Sequence, residues 1–166
     1  MALELNGTTG VSLVQDGVIT DANLPAGSVL QVVQATYSTQ TSSSSTSYAD
    51  TGLTASITPT SASSKILVLV HQNGVYRTSG NANNSVSIKL LRDSTDICLI
   101  AEYTGFTGTT LNLQIGSSSV AFLDNPSTTS ATAYKTQFRN TVTSSALVAV
   151  QTDGQVSTIT LMEIAG

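Results

Sequence analysis

The sequence predicts an all-β fold, an antiparallel sandwich or barrel of about eight to ten short strands preceded by an extended arm. Three observations carry this. Apolar and polar residues alternate in short runs, and clusters of turn residues separate the runs at regular intervals. Nowhere do apolar residues recur at helical spacing over 11 residues or more. About 50 of the 166 residues are Ser or Thr, mixed among Val, Ile and Leu. That mixture suits half-buried strands whose water-facing side carries hydroxyls in place of charges.

Residues 1–26 differ from the rest. Leu3 and Leu5 flank Glu4, and Asn6-Gly7, Thr9-Gly10 and Asp16-Gly17 are turn signals. Short strand-like patches lie at Val11 to Val14 and Val18-Ile19, and the segment ends at Leu24-Pro25-Ala26-Gly27. It lacks heptads and reads as an extended arm, with a β-domain over residues 27–166.

The first strand opens at Val29, Val32 and Val33. Ser38 to Ser47 has no apolar residue and reads as a loop or an edge strand exposed on both faces. Leu53, Ala55 and Ile57 alternate until Pro59 stops them. Lys65 to Val70 is nearly continuous in apolar residues, which predicts a central strand covered on both faces and closed by a turn at Asn73-Gly74. Val86, Ile88 and Leu90 form a half-buried strand. Arg92 to Thr95 then reads as a tight hairpin into Ile97 to Tyr103.

A Gly-containing loop, Thr104 to Thr110, leads to the alternating Leu111, Leu113 and Ile115. Val120 to Leu123 ends in the turn Asp124-Asn125-Pro126-Ser127. Tyr134, Thr136 and Phe138 alternate with Lys135, Gln137 and Arg139. Leu147, Val148 and Val150 form a strand closed by Asp153-Gly154. The last strand, Val156 to Ile164, has Ile159 and Leu161 on one face and Thr158, Thr160, Met162 and Ile164 on the other. Both faces are partly apolar, where an edge would ordinarily be polar. One face belongs to the core and the other suits packing against symmetry mates.

Composition excludes several classes of function. The net charge is −4, and six Lys and Arg residues spread singly make no basic stripe, so nucleic-acid binding is disfavoured. No run approaches the ~18 apolar residues of a membrane-spanning helix. A secretory leader is not recognisable, so synthesis in a cytosol is expected. One cysteine excludes an intrachain disulfide, and Cys98 in Ile97-Cys98-Leu99-Ile100 reads as a buried small hydrophobe.

Reactive groups are scarce. His71 is the one histidine, has no carboxylate near it in sequence, and reads as structural. No G-x-S-x-G elbow and no G-x-G-x-x-G turn occurs. Asp93 and Asp96, and Asp16 and Asp21, lack the ligand alternation of a calcium loop and are explained by turns. Asn83-Asn84-Ser85 matches a glycosylation sequon by chance, given no export signal. Tyr37, Tyr48, Tyr76, Tyr103 and Phe106 fall near strand ends; they read as rim packing, with contact to a glycan or partner as the alternative. No catalytic, metal or cofactor residue is assigned.

The order of motifs resembles virion proteins of tailed bacteriophages, particularly those of cyanophages and other aquatic phages. The resemblance rests on Gly27 to Val33, Thr58 to Ser61 with Ser64 to Val68, Lys135 to Phe138, and Ile159 to Ile164. The opening residues 1–7 with Asp16 to Thr20 resemble the start of phage tail-fibre proteins. The resemblance implies a jelly-roll β-sandwich of the tumour-necrosis-factor-like kind, assembled as a homotrimer with one sheet of each subunit facing the three-fold axis. It implies no shared catalytic residues.

The first expectation is therefore a non-enzymatic cement or decoration knob on the virion surface, made in the host bacterial cytoplasm and bound to the major capsid protein. The alternative is a receptor-binding tip on a tail or shaft protein, with a host surface glycan as ligand. A carbohydrate-active enzyme is the third reading. Tyr134, Phe138, Ile159, Leu161, Met162 and Ile164 are the candidates for trimer interface or core. Leu3, Leu5, Val11, Leu13, Val14, Val18, Ile19 and Leu24 are the candidates for anchoring the arm to the particle. An arm of ~26 residues reaches at most about 90 Å, enough to drape over a neighbour but too short for a fibre shaft. Read as a complete short protein, the chain suits a knob seated on a shell.

Overall fold

The alternating runs become ten strands in two antiparallel sheets packed face to face. A computed structural model describes residues 24–77, 84–106, 113–142 and 146–166. The strands are β1 (Val29–Tyr37), β2 (Thr41–Ser43), β3 (Ala49–Ile57), β4 (Lys65–Arg77), β5 (Val86–Arg92), β6 (Thr95–Thr104), β7 (Leu113–Asp124), β8 (Thr132–Asn140), β9 (Val148–Val150) and β10 (Ser157–Ile164). The first sheet runs β1-β10-β4-β7, and β2 and β9 continue the lines of β1 and β10 past a break. The second runs β3-β8-β5-β6. With the short strands set aside, the first and last strands are neighbours and nearly every connection crosses between sheets. That is the jelly-roll order.

The fold class is therefore as the sequence predicts, and the apolar phase of each strand faces inward. Leu53, Ala55 and Ile57 of β3, Ile66, Val68 and Val70 of β4, Leu90 of β5, Tyr134 of β8, and Ile159 and Leu161 of β10 form one buried cluster. Val75, Val86, Ile88, Phe138, Val148 and Val150 form a second.

A polar seam runs between the two clusters. Thr136 Oγ1 donates to Gln72 Oε1 at 2.9 Å. Thr136 thereby uses its single proton, so the 2.6 Å contact to Thr51 Oγ1 must be a bond donated by Thr51. Thr51 Oγ1 in turn accepts the Leu53 amide. On the other side Gln72 Nε2, Gln151 Nε2 and the Asn73 amide all donate to Ser157 Oγ, at 3.0, 3.1 and 2.9 Å. Thr51, Gln72, Thr136, Gln151 and Ser157 have no exposed surface. The relay therefore crosses from β3 and β8 in one sheet to β4 and β10 in the other.

The structure departs from the sequence reading in three places. Asn73-Gly74 is a bulge inside β4, not a turn, so β4 continues to Arg77. Gly74 has φ +61°, and a side chain there would collide with the Thr152 backbone nitrogen. The strand bends around the β9–β10 break where a turn residue pair would otherwise reverse it. The strand over Lys65 to Val70 is central but covered on one face only, since Leu67 and Leu69 remain half-exposed. The polar tract from Ser38 agrees with the sequence reading in contributing the short edge strand β2, paired with β9. Lastly, β10 is not an edge: it lies between β1 and β4.

Smaller readings fall into place around these. The Arg92 to Thr95 hairpin forms with Asp93 left-handed at φ 53°. Leu113, Ile115 and Val120 to Leu123 merge into the single strand β7, while Leu111 lies outside the described residues. Among the described residues there is no α-helix, only a 3-10 turn at Thr152–Gly154.

Replacing Thr136 by Val should keep the shape but strand the Thr51 hydroxyl proton and the Gln72 carbonyl in the interior. We expect a loss of about 1–3 kcal/mol, read as a lower urea midpoint with an unchanged slope. An unchanged midpoint would show that the seam adds nothing to stability.

Candidate functional site

The two outer faces of the sandwich are chemically opposite. On the β3-β8-β5-β6 face, Lys89 pairs with Asp96 at 2.8 Å, Lys135 with Asp50 at 3.0 Å and Arg139 with Glu102 at 3.2 Å. The Tyr48 ring lies under both cations, 4.1 Å from Lys89 Nζ and 4.8 Å from Arg139 Cζ. Burial pushes the Asp50 carboxyl up, but bonds from Gln137 and Lys135 outweigh it and hold it below the usual range. Three cations and three anions, each paired, leave this face neutral overall and well solvated.

The β1-β10-β4-β7 face is nearly free of charge. Register stacks its outward residues in rows across all four strands. Val32, Met162, Leu67 and Leu123 form one row. Gln34, Thr160, Leu69 and Ala121 form the next, and Thr36, Thr158, His71 and Ser119 the third. Val32 is 56% exposed and Leu123 51% exposed. Lys65 at one margin is the lone Lys or Arg directed outward from these rows. The face is apolar at the end where β1 begins and grades into hydroxyls and amides toward the other end.

The last strand thus has the two faces expected of it. Ile159 and Leu161 are in the core, as are Tyr134 and Phe138, each with no exposed surface. Met162 and Ile164 lie half-exposed on the outer face. Of the arm candidates, Leu24 is half-buried beside the first strand. Leu3, Leu5, Val11, Leu13, Val14, Val18 and Ile19 lie outside the described residues. The first described residues enter the sandwich beside its last ones: the Gly27 amide donates to Ala165 O and the Ala165 amide to Ser28 O, both at 2.8 Å.

Two buried clamps close that same end. Glu163 has no exposed surface and accepts from the Thr60 amide at 2.7 Å, Thr60 Oγ1 at 2.8 Å and Gln31 Nε2. Burial would raise its pKa, but the bonds from Gln31 and Thr60 outweigh that and hold it below the usual range. Asp124 accepts from Tyr134 Oη at 2.7 Å and from Arg92 at 3.0 and 2.9 Å. Burial, then the bond to Asp124, pushes the Tyr134 hydroxyl far above its ordinary range. Both carboxylates are buried and held by these donors, so both read as fasteners.

His71 is exposed, and its Nδ1 lies 2.7 Å from Ser119 Oγ. Cys98 is half-buried rather than fully buried, because β6 is an edge strand; partial burial pushes its thiol up. Tyr37 packs against the core, while Tyr103 and Phe106 are exposed. Among the described residues no group of three His, Cys, Asp or Glu side chains could hold a metal ion. None of the described helices is long and apolar enough to cross a membrane.

No protein-family model matches the chain, and no curated protein matches it in sequence. Among solved structures it is similar to the subviral particle of infectious bursal disease virus VP2, at 14% identity and a TM-score of 0.39. That similarity covers 82% of this chain but 37% of the VP2 chain. A likeness of this strength assigns no role, and the jelly-roll order rests on the strand pairings themselves.

The depressed Glu163 pKa has a direct consequence for stability. The ionised form is favoured by folding, so its contribution is present above the unfolded value of about 4.5 and lost as pH falls through the folded value. Glu163→Gln should therefore be less stable than wild type at pH 7. The gap in urea midpoint should narrow below about pH 4.5; a pH-independent gap would contradict the clamp.

Proposed function

We propose that this chain is a non-enzymatic virion structural protein, a trimeric cement knob on the outside of a phage capsid. The uncharged outer face of the β1-β10-β4-β7 sheet carries this reading. A face with Val32, Met162, Leu67 and Leu123 in one continuous row has apolar surface left to bury. Each such side chain is worth about 1.5–3 kcal/mol when fully buried and still shows part of that surface to water. A second copy of the same face supplies the matching surface without bringing a charge into the contact. The charged opposite face remains outside.

The arm supports attachment. It enters at the apolar end of that face, where the clamps at Glu163 and Asp124 hold β1, β5, β7, β8 and β10 rigidly. Ordering an extended segment costs roughly 1–2 kcal/mol per residue, so its leucines and valines must be buried against the particle to offset that. The scarcity of titratable side chains supports a role without turnover. The same architecture also serves as a receptor-binding tip, a reading favoured by the hydroxyl- and amide-rich end of the sheet away from the arm.

Two experiments test this. In sedimentation the chain should run as a trimer with little dependence on salt, since few exposed charges are involved. Leu67→Glu or Met162→Lys should give folded monomers, while Lys89→Glu on the charged face should not. A wild-type monomer at micromolar concentration would end the proposal. Separately, deleting Met1 to Leu24 should leave a folded trimer that no longer binds undecorated capsids; retained binding would exclude anchoring by the arm.

A further inference from the structure

The break between β9 and β10 builds a notch on the outer face of the first sheet. Of the four residues 151–154, three are left-handed: Gln151 at φ 54°, Asp153 at φ 56° and Gly154 at φ 71°. Non-glycine residues in that region are strained and persist only when their surroundings hold them. Here the Gln151 amide donates to Asn73 O at 2.9 Å and Thr152 Oγ1 to Gly74 O at 3.0 Å, so the β4 bulge locks the turn. The turn interrupts the strand pair and leaves a cavity of about 290 Å³.

Its lining is Gln40, Tyr76, Gln114, Thr152 and Asp153. Thr152 is buried and forms the floor, where Gln114 Nε2 donates to its hydroxyl at 3.3 Å. Gln40 and Asp153 are exposed and engage no other described side chain. The notch thus presents two amides, a carboxylate, a threonine hydroxyl and a tyrosine side chain. Among the described residues no lysine or arginine lines it, and the described residues 38–48, 84–85, 105–106, 141–142 and 146–147 at this end include none of Asp, Glu, Lys or Arg.

We propose that this notch binds a sugar unit of a neutral glycan. Amides offer a donor and an acceptor in one plane, and a carboxylate accepts from two hydroxyls, which suits vicinal hydroxyls. The Tyr76 ring supplies an apolar surface for the C–H side of a pyranose and a hydroxyl at its rim. An anionic ligand would meet Asp153 with no cation to offset the repulsion. A volume at the small end of ligand pockets fits one unit of a longer chain. Along β4 the notch at Tyr76 lies about 35 Å from Lys65 at the arm end. Its outward orientation on a particle rests on the attachment reading above; the site itself does not.

The test uses the full chain on an array of neutral and anionic glycans. It is followed by calorimetric titration with the best neutral oligosaccharide. Binding to a neutral glycan is expected, weakened at least tenfold by Gln114→Ala and by Tyr76→Ala. Asp153→Asn, whose side chain tolerates the left-handed backbone, should weaken it as well. Leu99→Ala on the opposite sheet should leave it unchanged, and melting curves report whether each variant is folded. The proposal is overturned if no neutral glycan binds, if anionic glycans bind better, or if folded Gln114→Ala and Tyr76→Ala proteins bind as wild type does. Because the readout needs neither capsid nor trimer, its failure is separable from failure of the cement reading.

Discussion

The buried relay from Thr51 through Thr136, Gln72 and Ser157 is the constraint on which the rest of the domain depends. Apolar alternation decides which face of each strand points inward, but it does not decide register. Sliding β4 by two residues against β10 would keep Val, Ile and Leu inside. It would also carry Gln72 away from Ser157 and opposite Ile159, with both its amide groups unpaired in the interior. Such a group costs about 1–3 kcal/mol, and a slip strands several at once. The seam therefore selects one register among those that hydrophobicity alone would allow.

The same seam explains the irregular features. Ser157 receives three donors, from Gln72, Asn73 and Gln151, which come from the β4 bulge and the turn before β10. Bringing all three to one oxygen requires the bulge to approach the turn closely, which only glycine at position 74 permits. The strand must then break, and the break opens the notch. A buried polar requirement in the core thus shapes a polar feature on the surface. Meanwhile it divides the interior into two apolar clusters, one nearer the arm and one nearer the notch.

Strand positions were largely legible in the sequence because alternation is a local signal. Tyr134, Thr136 and Phe138 are a good example: their spacing places all three inward, and they are inward. The same line contained the seam, since Thr136 is a hydroxyl in an otherwise apolar phase. Gln72 continues the phase of Ile66, Val68 and Val70, and Ser157 that of Ile159 and Leu161. What could not be read was that these polar residues meet one another, because their partners are 64 to 85 residues away. Asn73-Gly74 misled for a related reason. The pair is a strong local turn signal, and only its distant partner at Thr152 makes it a bulge. In the notch Tyr76 stood out as an aromatic, whereas Gln40, Gln114 and the adjacent Thr152 and Asp153 come from three separated stretches with no motif among them.

Jelly-roll topology then couples the two proposed roles. Because β1 and β10 are antiparallel neighbours, the chain enters and leaves at one end. Three connections and the two clamps share that end, and the other four connections leave from the opposite one. An arm fastened to a particle must therefore present those four connections, and the notch among them, to the outside. Their hydroxyls and amides suit that position. They keep a protein of low charge hydrated, and with Asp153 as the one charge of the notch disfavouring anions, selectivity among neutral ligands at that end must come from hydrogen-bond geometry, as a rigid, strained turn beside an aromatic ring can provide.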